Sequence, residues 1–150
     1  MRISLGARHH FLRRYGVPEN WEAKQLGDLA EILGGGTPKR AESRFWAGGK
    51  IPWATPTDLT DNKAKYISKT SECITEAGLA SSAATLLPVG SVLYTSRATI
   101  GAKAIASVPI ATNQGFATFL PNGTSSEYLY YLLDVLTPIW ATSRVCRLRK

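Results

Sequence analysis

Three polar side chains in turns of this chain could form paired hydrogen bonds with a flat, polar ligand. Arg97 follows the run Tyr94-Thr95-Ser96, and Asn113 and Gln114 lie side by side before a glycine. A guanidinium can bond both acceptors of guanine, and a carboxamide can bond the donor and the acceptor of adenine, so these residue types fit the base edges of DNA. A structural interpretation stays open for each: Arg97 could bind loop carbonyl groups, and Asn113 could be a turn residue with left-handed backbone.

The usual catalytic and ligand-binding motifs are missing from the sequence. His9 and His10 are adjacent, so they cannot form the i,i+4 pair that binds a metal on one helix face. The run Gly34–Gly36 has neither the Gly-Lys-Ser/Thr of a phosphate loop nor the spacing of a dinucleotide site. Glu72 and Glu76 lie four residues apart, and we interpret them as acids at the start of a helix. We therefore expect no catalytic residue, no metal and no cofactor.

The composition is typical of one folded domain with many turns. The 150 residues are 44% apolar and 19% charged, and the 13 Gly and 8 Pro argue against an all-helical bundle. No apolar run approaches the roughly 20 residues that span a bilayer, and the basic start of the chain lacks the apolar stretch of a signal peptide. Cys73 and Cys146 form no metal or redox motif. We therefore expect a reduced, cytoplasmic protein that does not enter a membrane.

The formal net charge of +7 comes from the two ends of the chain. Residues 1–16 carry +4 and residues 144–150 carry +4, whereas the body between them carries −1. A strongly basic protein favours a nucleic-acid partner, but solvated basic tails explain the same charge. The net charge alone therefore says little about the folded surface.

The first half of the chain predicts short elements joined by a long loop. Residues 21–33 are ambiguous, because apolar positions at helical spacing follow a stretch that could equally be a short strand. Residues 39–50 are polar and predict a loop. Ile51–Thr55 is predicted to be extended, with Pro52 keeping it at the edge of a sheet.

The second half predicts a capped helix, several strands and a final helix. Thr75 is expected to cap a helix from Glu76 to about Ala80. Ser126 is expected to cap a helix over Glu127–Leu136, which Thr137-Pro138-Ile139-Trp140 then interrupts. The order predicts an α+β fold, a single globular domain with short, turn-rich β-strands and a few short helices. Four β-like runs lie between the helices: Val89–Thr95, Ala102–Ser107, Ile110–Thr112 and Phe116–Leu120.

An ordered series of short motifs gives the chain a family resemblance over roughly residues 16–133. The two most specific motifs are Ser96-Arg97-Ala98-Thr99-Ile100-Gly101 and Thr112-Asn113-Gln114-Gly115. The others keep the same order and spacing: Gly16-Val17-Pro18-Glu19-Asn20-Trp21, Gly35-Gly36-Thr37-Pro38, Trp46, Ile51-Pro52-Trp53, Asp58, Ile74-Thr75-x-x-Gly78-Leu79 and Leu87-Pro88-x-Gly90-x-Val92-Leu93. Together they resemble the target recognition domain of the DNA-specificity subunit of type I restriction-modification systems.

The resemblance implies a non-catalytic subunit that reads double-stranded DNA. In such a subunit two recognition domains each read half of a split target, and the long helices between them space the domains and dock the methyltransferase subunits. Methyl transfer from S-adenosylmethionine and ATP-driven cleavage belong to partner chains, the methyltransferase and restriction subunits. This chain departs from the family pattern after Leu133, where a spacer helix and a second recognition domain would follow. We therefore expect a truncated product or an excised fragment, with a basic leader over 1–15, a target recognition domain over 16–136 and a basic tail over 137–150.

The resemblance also bears on which residues choose the DNA sequence. Family members with different targets share the motif residues, so Arg97 and Asn113 are expected to hold loops or touch phosphate. Discrimination is expected in segments outside the motifs, such as Lys39–Arg44 and Thr60–Lys69. The motif residues interpreted as loop scaffold are Thr37, Pro38, Ile100, Gly101 and Gly115. The candidate DNA-binding residues are Lys39, Arg40, Arg44, Trp46, Lys50, Lys65, Arg97, Asn113 and Gln114.

Two alternatives from other functional classes stay open. The chain could be an interaction or regulatory fragment that pairs with a methyltransferase or with another specificity chain, and the expected outer face of Tyr128–Leu136 motivates this hypothesis. It could also be a carbohydrate-binding β module that stacks sugars on Trp46 and Trp53. The sequence identifies neither a DNA target nor an oligomeric state.

Overall fold

The structure, a computed structural model, describes residues 24–97 and 99–142. The basic leader over 1–15, the opening motif Gly16–Trp21 and residues 143–150 of the basic tail lie outside the described residues. The elements in chain order are α1 Leu26–Leu29, β1 Ala30–Gly34, a 3-10 turn Ser43–Phe45, β2 Ile51–Ala54, α2 Pro56–Asp61, β3 Tyr66–Ile67, β4 Glu72–Ile74, α3 Glu76–Ala80, β5 Val92–Thr95, β6 Lys103–Ala106, β7 Ala111–Thr112, β8 Phe116–Pro121 and α4 Ser126–Thr142.

Five strands form the larger sheet, in the order β1-β8-β5-β6-β3. Neighbouring strands in this sheet are antiparallel, except that β3 runs parallel to β6. All four residues of strand β5 are buried. Since successive side chains of a strand point to opposite sides, both faces of this strand are covered. Val92 and Tyr94 share a buried cluster with Leu129 and Leu133 of α4, whereas Leu93 belongs to the cluster on the other side. The α+β fold class is confirmed, and each of the four predicted β-like runs overlaps a strand.

The smaller sheet has three strands in the order β4-β2-β7. Strand β2 is its central strand, so the prediction that Pro52 keeps this segment at a sheet edge is wrong. The proline is tolerated because pairing with β7 begins only at Trp53, one residue later, and Pro52 therefore removes no hydrogen bond from that ladder. Trp53 and Ile74 fill the core beside this sheet.

Residues 26–34 show how sheet pairing overrides helical spacing. A single helical turn, α1, passes directly into strand β1, which pairs with β8 over its whole length. Ile32 lies opposite Phe119, and Leu33 lies opposite Thr118. The short strands β3 and β4 are absent from the sequence prediction, because two or three residues carry no measurable alternation.

Side-chain caps fix the starts of the short helices. Thr75 Oγ1 accepts a hydrogen bond from the Gly78 amide at 3.1 Å, which confirms the predicted cap and bounds of α3. Helix α2 is absent from the sequence prediction, although Thr55-Pro56-Thr57-Asp58 carries its signal. The Asp58 carboxylate accepts from the Thr55 amide at 2.7 Å and from its hydroxyl at 2.6 Å, and Pro56 occupies the first turn.

The cap of helix α4 is one residue earlier than predicted. Ser125 Oγ accepts a hydrogen bond from the Tyr128 amide at 3.1 Å. Ser126, the predicted cap, instead donates its hydroxyl to the Gly90 carbonyl at 2.6 Å. Two adjacent serines are indistinguishable as caps by residue type, and only the contact with Gly90 separates their roles.

Helix α4 continues through Pro138 to Thr142, so the predicted end after Leu136 is wrong. A proline inside a helix removes one backbone donor, which is why the sequence predicts an interruption. Thr137 holds the turn before the proline: its hydroxyl donates to the Leu133 carbonyl at 2.5 Å and lies 3.0 Å from the Tyr94 hydroxyl. This tertiary contact ties the second half of the helix to the larger sheet.

Candidate nucleic-acid interface

Several strand ends meet at one edge of the molecule. Strands β1 and β5 both end beside the start of β8. The parallel strands β2 and β7 end side by side, with Ala54 paired to Thr112. The loops that follow these strands form what we call the loop cluster, which comprises Gly35–Pro38, Thr55–Asp58, the described residues of Ser96–Gly101, and Asn113–Gly115.

Main-chain hydrogen bonds from the loops to each other and to the ends of β2 and β7 hold the loop cluster together. Each bond joins segments that are far apart in the sequence, so the loops share one fixed arrangement rather than four independent ones. The bonds run from Gly36 N to Thr112 O at 2.9 Å, from Asn113 N to Ala54 O at 3.1 Å, and from Ser96 N to Gly115 O at 2.9 Å.

The glycine run has a packing role in the loop cluster. A Cβ added at Gly35 would lie 2.1 Å from the Asn113 carbonyl oxygen, and one at Gly36 would lie 2.4 Å from the Ala84 amide nitrogen. Only glycine allows backbones to approach this closely. Beside this contact the Thr37 hydroxyl donates to Gln114 Oε1, which joins the first and last loops. These contacts agree with the scaffold interpretation of Thr37.

Arg97 lies exposed at the tip between β5 and β6. The base of the tip is anchored, because Ser96 Oγ donates to the Gly115 carbonyl at 3.2 Å and Thr95 Oγ1 donates to the carbonyls of Thr99 and Ala102. The structure gives the Arg97 guanidinium no hydrogen bond or salt bridge to another described residue. It is therefore available to a ligand, and the described residues do not support the alternative in which it binds loop carbonyl groups.

The two amides of the last loop have different roles. Asn113 Oδ1 accepts the Gly115 amide at 2.8 Å, so its side chain shapes the turn. Gln114 is exposed, and its carbonyl oxygen accepts from Thr37. Its NH2 group is thus oriented by Thr37 while the side chain faces solvent. Among the predicted residues, Arg97, Asn113 and Gln114 are brought together by the fold.

Arg40 is held by contacts within the protein. Its guanidinium forms a paired salt bridge with Glu72, with Nη2 2.8 Å from Oε2 and a second bond from Nη1 to Oε1. It also lies 3.9 Å from the ring centroid of Trp46 and 4.9 Å from that of Trp53. We call Arg40, Glu72, Trp46 and Trp53 the arginine clasp. It fixes the loop that follows Pro38 onto β2 and β4.

Glu72 lies on strand β4, so its interpretation as an acid at the start of a helix is wrong. Pairing with β2 places it opposite Trp53, next to Arg40. The hydrogen bond from Arg40 lowers the pKa of the Glu72 carboxyl below its ordinary value, and burial opposes this shift less strongly. Of the two acids Glu72 and Glu76, only Glu76 lies at the start of a helix.

The tryptophans do not form an open stacking surface. Trp53 is 1% exposed and its indole donates to the Gly36 carbonyl at 3.0 Å. Trp46 meets it edge-on, with ring centroids 5.1 Å apart, and donates to the Lys39 carbonyl at 3.1 Å. Trp53 is buried, and Arg40 lies over one face of the half-buried Trp46. The two tryptophans therefore do not form the shared stacking surface that the carbohydrate-binding hypothesis requires.

The remaining candidate cations are spread over the surface. Lys39 is exposed directly after the loop cluster, and Arg44 lies 3.4 Å from Glu42 on the same loop. Lys50 precedes β2, at the opposite end of that strand from the loop cluster. Lys65 lies beside helix α4. Of these four, only Lys39 directly adjoins the loop cluster in sequence, and the fold does not unite the predicted cations in one patch.

Two charged contacts outside the predicted set also support this end of the fold. Burial raises the pKa of the Asp58 carboxyl, but hydrogen bonds from Thr55 and from the Ser71 amide outweigh it and hold the pKa below its ordinary value. Lys103 pairs with Asp134 and so ties β6 to α4. The capping signal in the sequence identifies Asp58, whereas nothing in the sequence pairs Lys103 with Asp134.

Within residues 24–97 and 99–142, no group of three or more His, Cys, Asp or Glu side chains is arranged to hold a metal ion. None of the helices in these ranges is long and apolar enough to cross a bilayer. Among the described residues, the loop cluster presents hydrogen-bonding groups and the exposed guanidinium of Arg97.

Comparison with known proteins identifies the family. The family described as type I restriction modification DNA specificity domain matches residues 18–143. The specificity subunit of the type I restriction enzyme MjaIX from Methanocaldococcus jannaschii is 43% identical over 122 residues, which are 81% of this chain and 28% of that protein. The EcoR124I/EcoR124II specificity subunit from Escherichia coli is 30% identical over 117 residues, 75% of this chain and 28% of that protein.

A solved structure has the same fold. The crystal structure of the HsdS subunit from Thermoanaerobacter tengcongensis matches with a TM-score of 0.62 and 22% identity, covering 85% of this chain and 30% of that one. The chain thus spans less than a third of the length of these relatives.

Proposed function

The chain belongs to the family of type I restriction modification DNA specificity domains, and we propose that it recognises a specific sequence in double-stranded DNA. Since it spans 28% of the length of the curated relatives, it would act as a fragment of a specificity subunit and read one half of a bipartite target. It would carry out no chemistry itself. Methylation and cleavage would belong to methyltransferase and restriction subunits of a type I complex.

The observation that carries this proposal is the loop cluster with its free guanidinium. Loops from several strands, joined by main-chain bonds, present Arg97 and Gln114 from a rigid base. A rigid base reduces the conformational entropy lost on binding. Arg97 then meets a base edge or a phosphate, and Gln114 presents the NH2 group that Thr37 orients. Lys39, directly beside the cluster, supplies a phosphate contact that sets register without reading sequence.

Helix α4 adds a second supporting observation. Its carboxyl-terminal half reaches the loop cluster, because a Cβ at Gly101 would lie 2.9 Å from Thr137 Cγ2. Residues 144–150, which carry +4, follow this helix. Their charges would add sequence-independent affinity for DNA phosphates.

Selection from a library of random duplex DNA tests the proposed function. The full chain should enrich a short motif, and Arg97→Ala should bind that motif more weakly. Lys50→Ala is the matched control, because it removes an exposed cation at the opposite end of β2 and should leave the motif unchanged. A folded wild-type chain that enriches no sequence would overturn the proposal.

A further inference from the structure

The outer face of helix α4 exposes a stripe of apolar side chains that the DNA proposal does not use. Tyr128, Tyr131 and Val135 are 54%, 57% and 66% exposed. Their spacing of three and four residues puts them on one face of the helix, opposite the buried Leu129 and Leu133. Single exposed apolar residues are ordinary, but a continuous stripe of large ones marks a contact surface.

A residue of the adjacent strand β3 extends this stripe. Tyr66 is 45% exposed, and its hydroxyl donates to Glu127 Oε1 at 2.7 Å, in the first turn of α4. We call Tyr66, Tyr128, Tyr131 and Val135 the tyrosine face. Tyrosine is enriched in the energetic centres of protein interfaces, because its rigid ring buries much area and its hydroxyl still finds a partner.

One positive charge lies within the tyrosine face. Lys65 Nζ is 5.1 Å from the ring centroid of Tyr66 and 5.5 Å from that of Tyr131. The nearby carboxylate of Glu127 is already hydrogen-bonded to Tyr66, and the structure shows no salt bridge between Lys65 and a described acid. A partner that covers the rings would desolvate this ammonium. It would therefore have to supply a carboxylate.

The helix that carries the face is firmly attached to the sheet. Lys103 Nζ pairs with Asp134 and lies 4.2 Å from the ring centroid of Tyr130, and the Lys103 side chain is only 9% exposed. One turn further along the helix, the Thr137 hydroxyl lies 3.0 Å from the Tyr94 hydroxyl of strand β5. The tyrosine face is therefore a preformed surface, and its helical stripe has the geometry that packs against the ridges of another helix.

We infer that the tyrosine face docks an amphipathic helix of another protein chain, one that places a carboxylate opposite Lys65 within an apolar stripe. A DNA duplex fits this face poorly, since one cation among four apolar side chains offers little to a row of phosphates. The docking surface lies outside the loop cluster and leaves it free.

Amide NMR of the full labelled chain tests this inference with two synthetic helical peptides. The peptides share one leucine stripe and differ at one flanking position, which is Glu in the first and Lys in the second. The Glu peptide should shift the amides of Tyr66, Tyr128, Tyr131 and Val135. The Lys peptide should bind about fivefold more weakly, which is the upper range for a partly exposed ion pair.

Variants separate the face from a general apolar affinity. Tyr131→Ala should weaken the Glu peptide at least about fivefold, as truncation of an interface anchor does. Val89→Ala is the control, because Val89 is 61% exposed but lies outside α4 and β3. Equal binding of the two peptides, or shifts elsewhere, would overturn the inference. Dimerisation through this face in sedimentation, or shifts of the same amides on adding duplex DNA, would assign it to another occupant and also overturn it.

Discussion

Replacing Arg40 with alanine separates a structural role of this residue from contact with DNA. Arg40 belongs to the candidate DNA-binding set, yet the structure commits its guanidinium to the arginine clasp. Arg40→Ala removes the paired salt bridge with Glu72 and the stacking on Trp46. The strand pairing of β2 and β4 stays in place, so the variant should fold.

The expected loss follows from the exposure of these contacts. The side chains of Arg40 and Glu72 are 53% and 38% exposed, so solvent screens the pair and it contributes about 0.2–1 kcal/mol. Stacking of the guanidinium on an indole adds about 0.5–1 kcal/mol at an exposed site. Arg40→Ala should therefore lower the free energy of unfolding by about 1–2 kcal/mol, and the melting temperature by about 2–4 °C for each kcal/mol.

Urea unfolding followed by tryptophan fluorescence measures this loss, because Trp46 and Trp53 are part of the clasp. Arg44→Ala is the matched control. Arg44 is 74% exposed, 3.4 Å from Glu42 and 5.0 Å from the ring centroid of Phe45, and it has no paired salt bridge, so its removal should cost less than that of Arg40, at most about 1 kcal/mol.

The same variant predicts a pH dependence. Because Arg40 lowers the pKa of the Glu72 carboxyl in the folded chain, the pair stabilises the fold fully above the ordinary Glu pKa of about 4.3. This stabilisation is lost as the pH falls through the lowered pKa. The gap between wild type and Arg40→Ala should thus narrow in acid. Equal unfolding curves at neutral pH, together with weaker DNA binding, would refute the clasp.

Three further predictions concern the loop cluster and the charged ends. Arg97→Ala should leave the melting temperature unchanged and weaken binding to a selected duplex by about 1–3 kcal/mol in a gel-shift titration, so a destabilised variant would contradict the exposed position. Removing residues 1–15 and 144–150 should weaken the salt dependence of DNA binding: the slope of log K against log salt concentration should change by about 0.9 for each lost phosphate contact. The body of the chain should keep its sequence preference. Gly35→Ala should unfold more easily in urea, because its Cβ would overlap the Asn113 carbonyl oxygen, whereas Gly34→Ala, which meets no atom, is the control.

Local signals in the sequence predict those parts of the fold that local chemistry decides. The Thr75 cap and the bounds of α3 follow from side-chain hydrogen bonding within four residues. The strands from β5 to β8 follow from short β-like runs that Gly, Pro or Asn separate. The motif series identifies the family, which composition and spacing alone do not.

Long-range pairing decides what the sequence leaves open. Helical spacing over residues 26–33 is overridden by the pairing of β1 with β8. Pro52 is tolerated in a central strand because the pairing of β2 with β7 begins only at Trp53. Helix α4 continues beyond the predicted end at Leu136, and there Thr137 meets Tyr94, a contact across 43 residues.

The candidate site shows the same division between local and long-range information. Arg97, Asn113 and Gln114 are the predicted residues that the fold unites. Arg40 has the same residue type as Arg97, but its role depends on Glu72, 32 residues away. Residue type selects the candidates, and the partner decides which of them are free to bind a ligand.

An amide NMR titration of the full chain with its selected duplex, against a scrambled duplex of equal length, tests most directly whether the loop cluster reads DNA. We predict that the selected duplex changes the amide chemical shifts of Thr37, Ser96 and Gln114. At the same salt concentration, the scrambled duplex should cause few of these chemical-shift changes. Shifts confined to the tyrosine face or to the basic ends, with the loop cluster unchanged, would contradict the account.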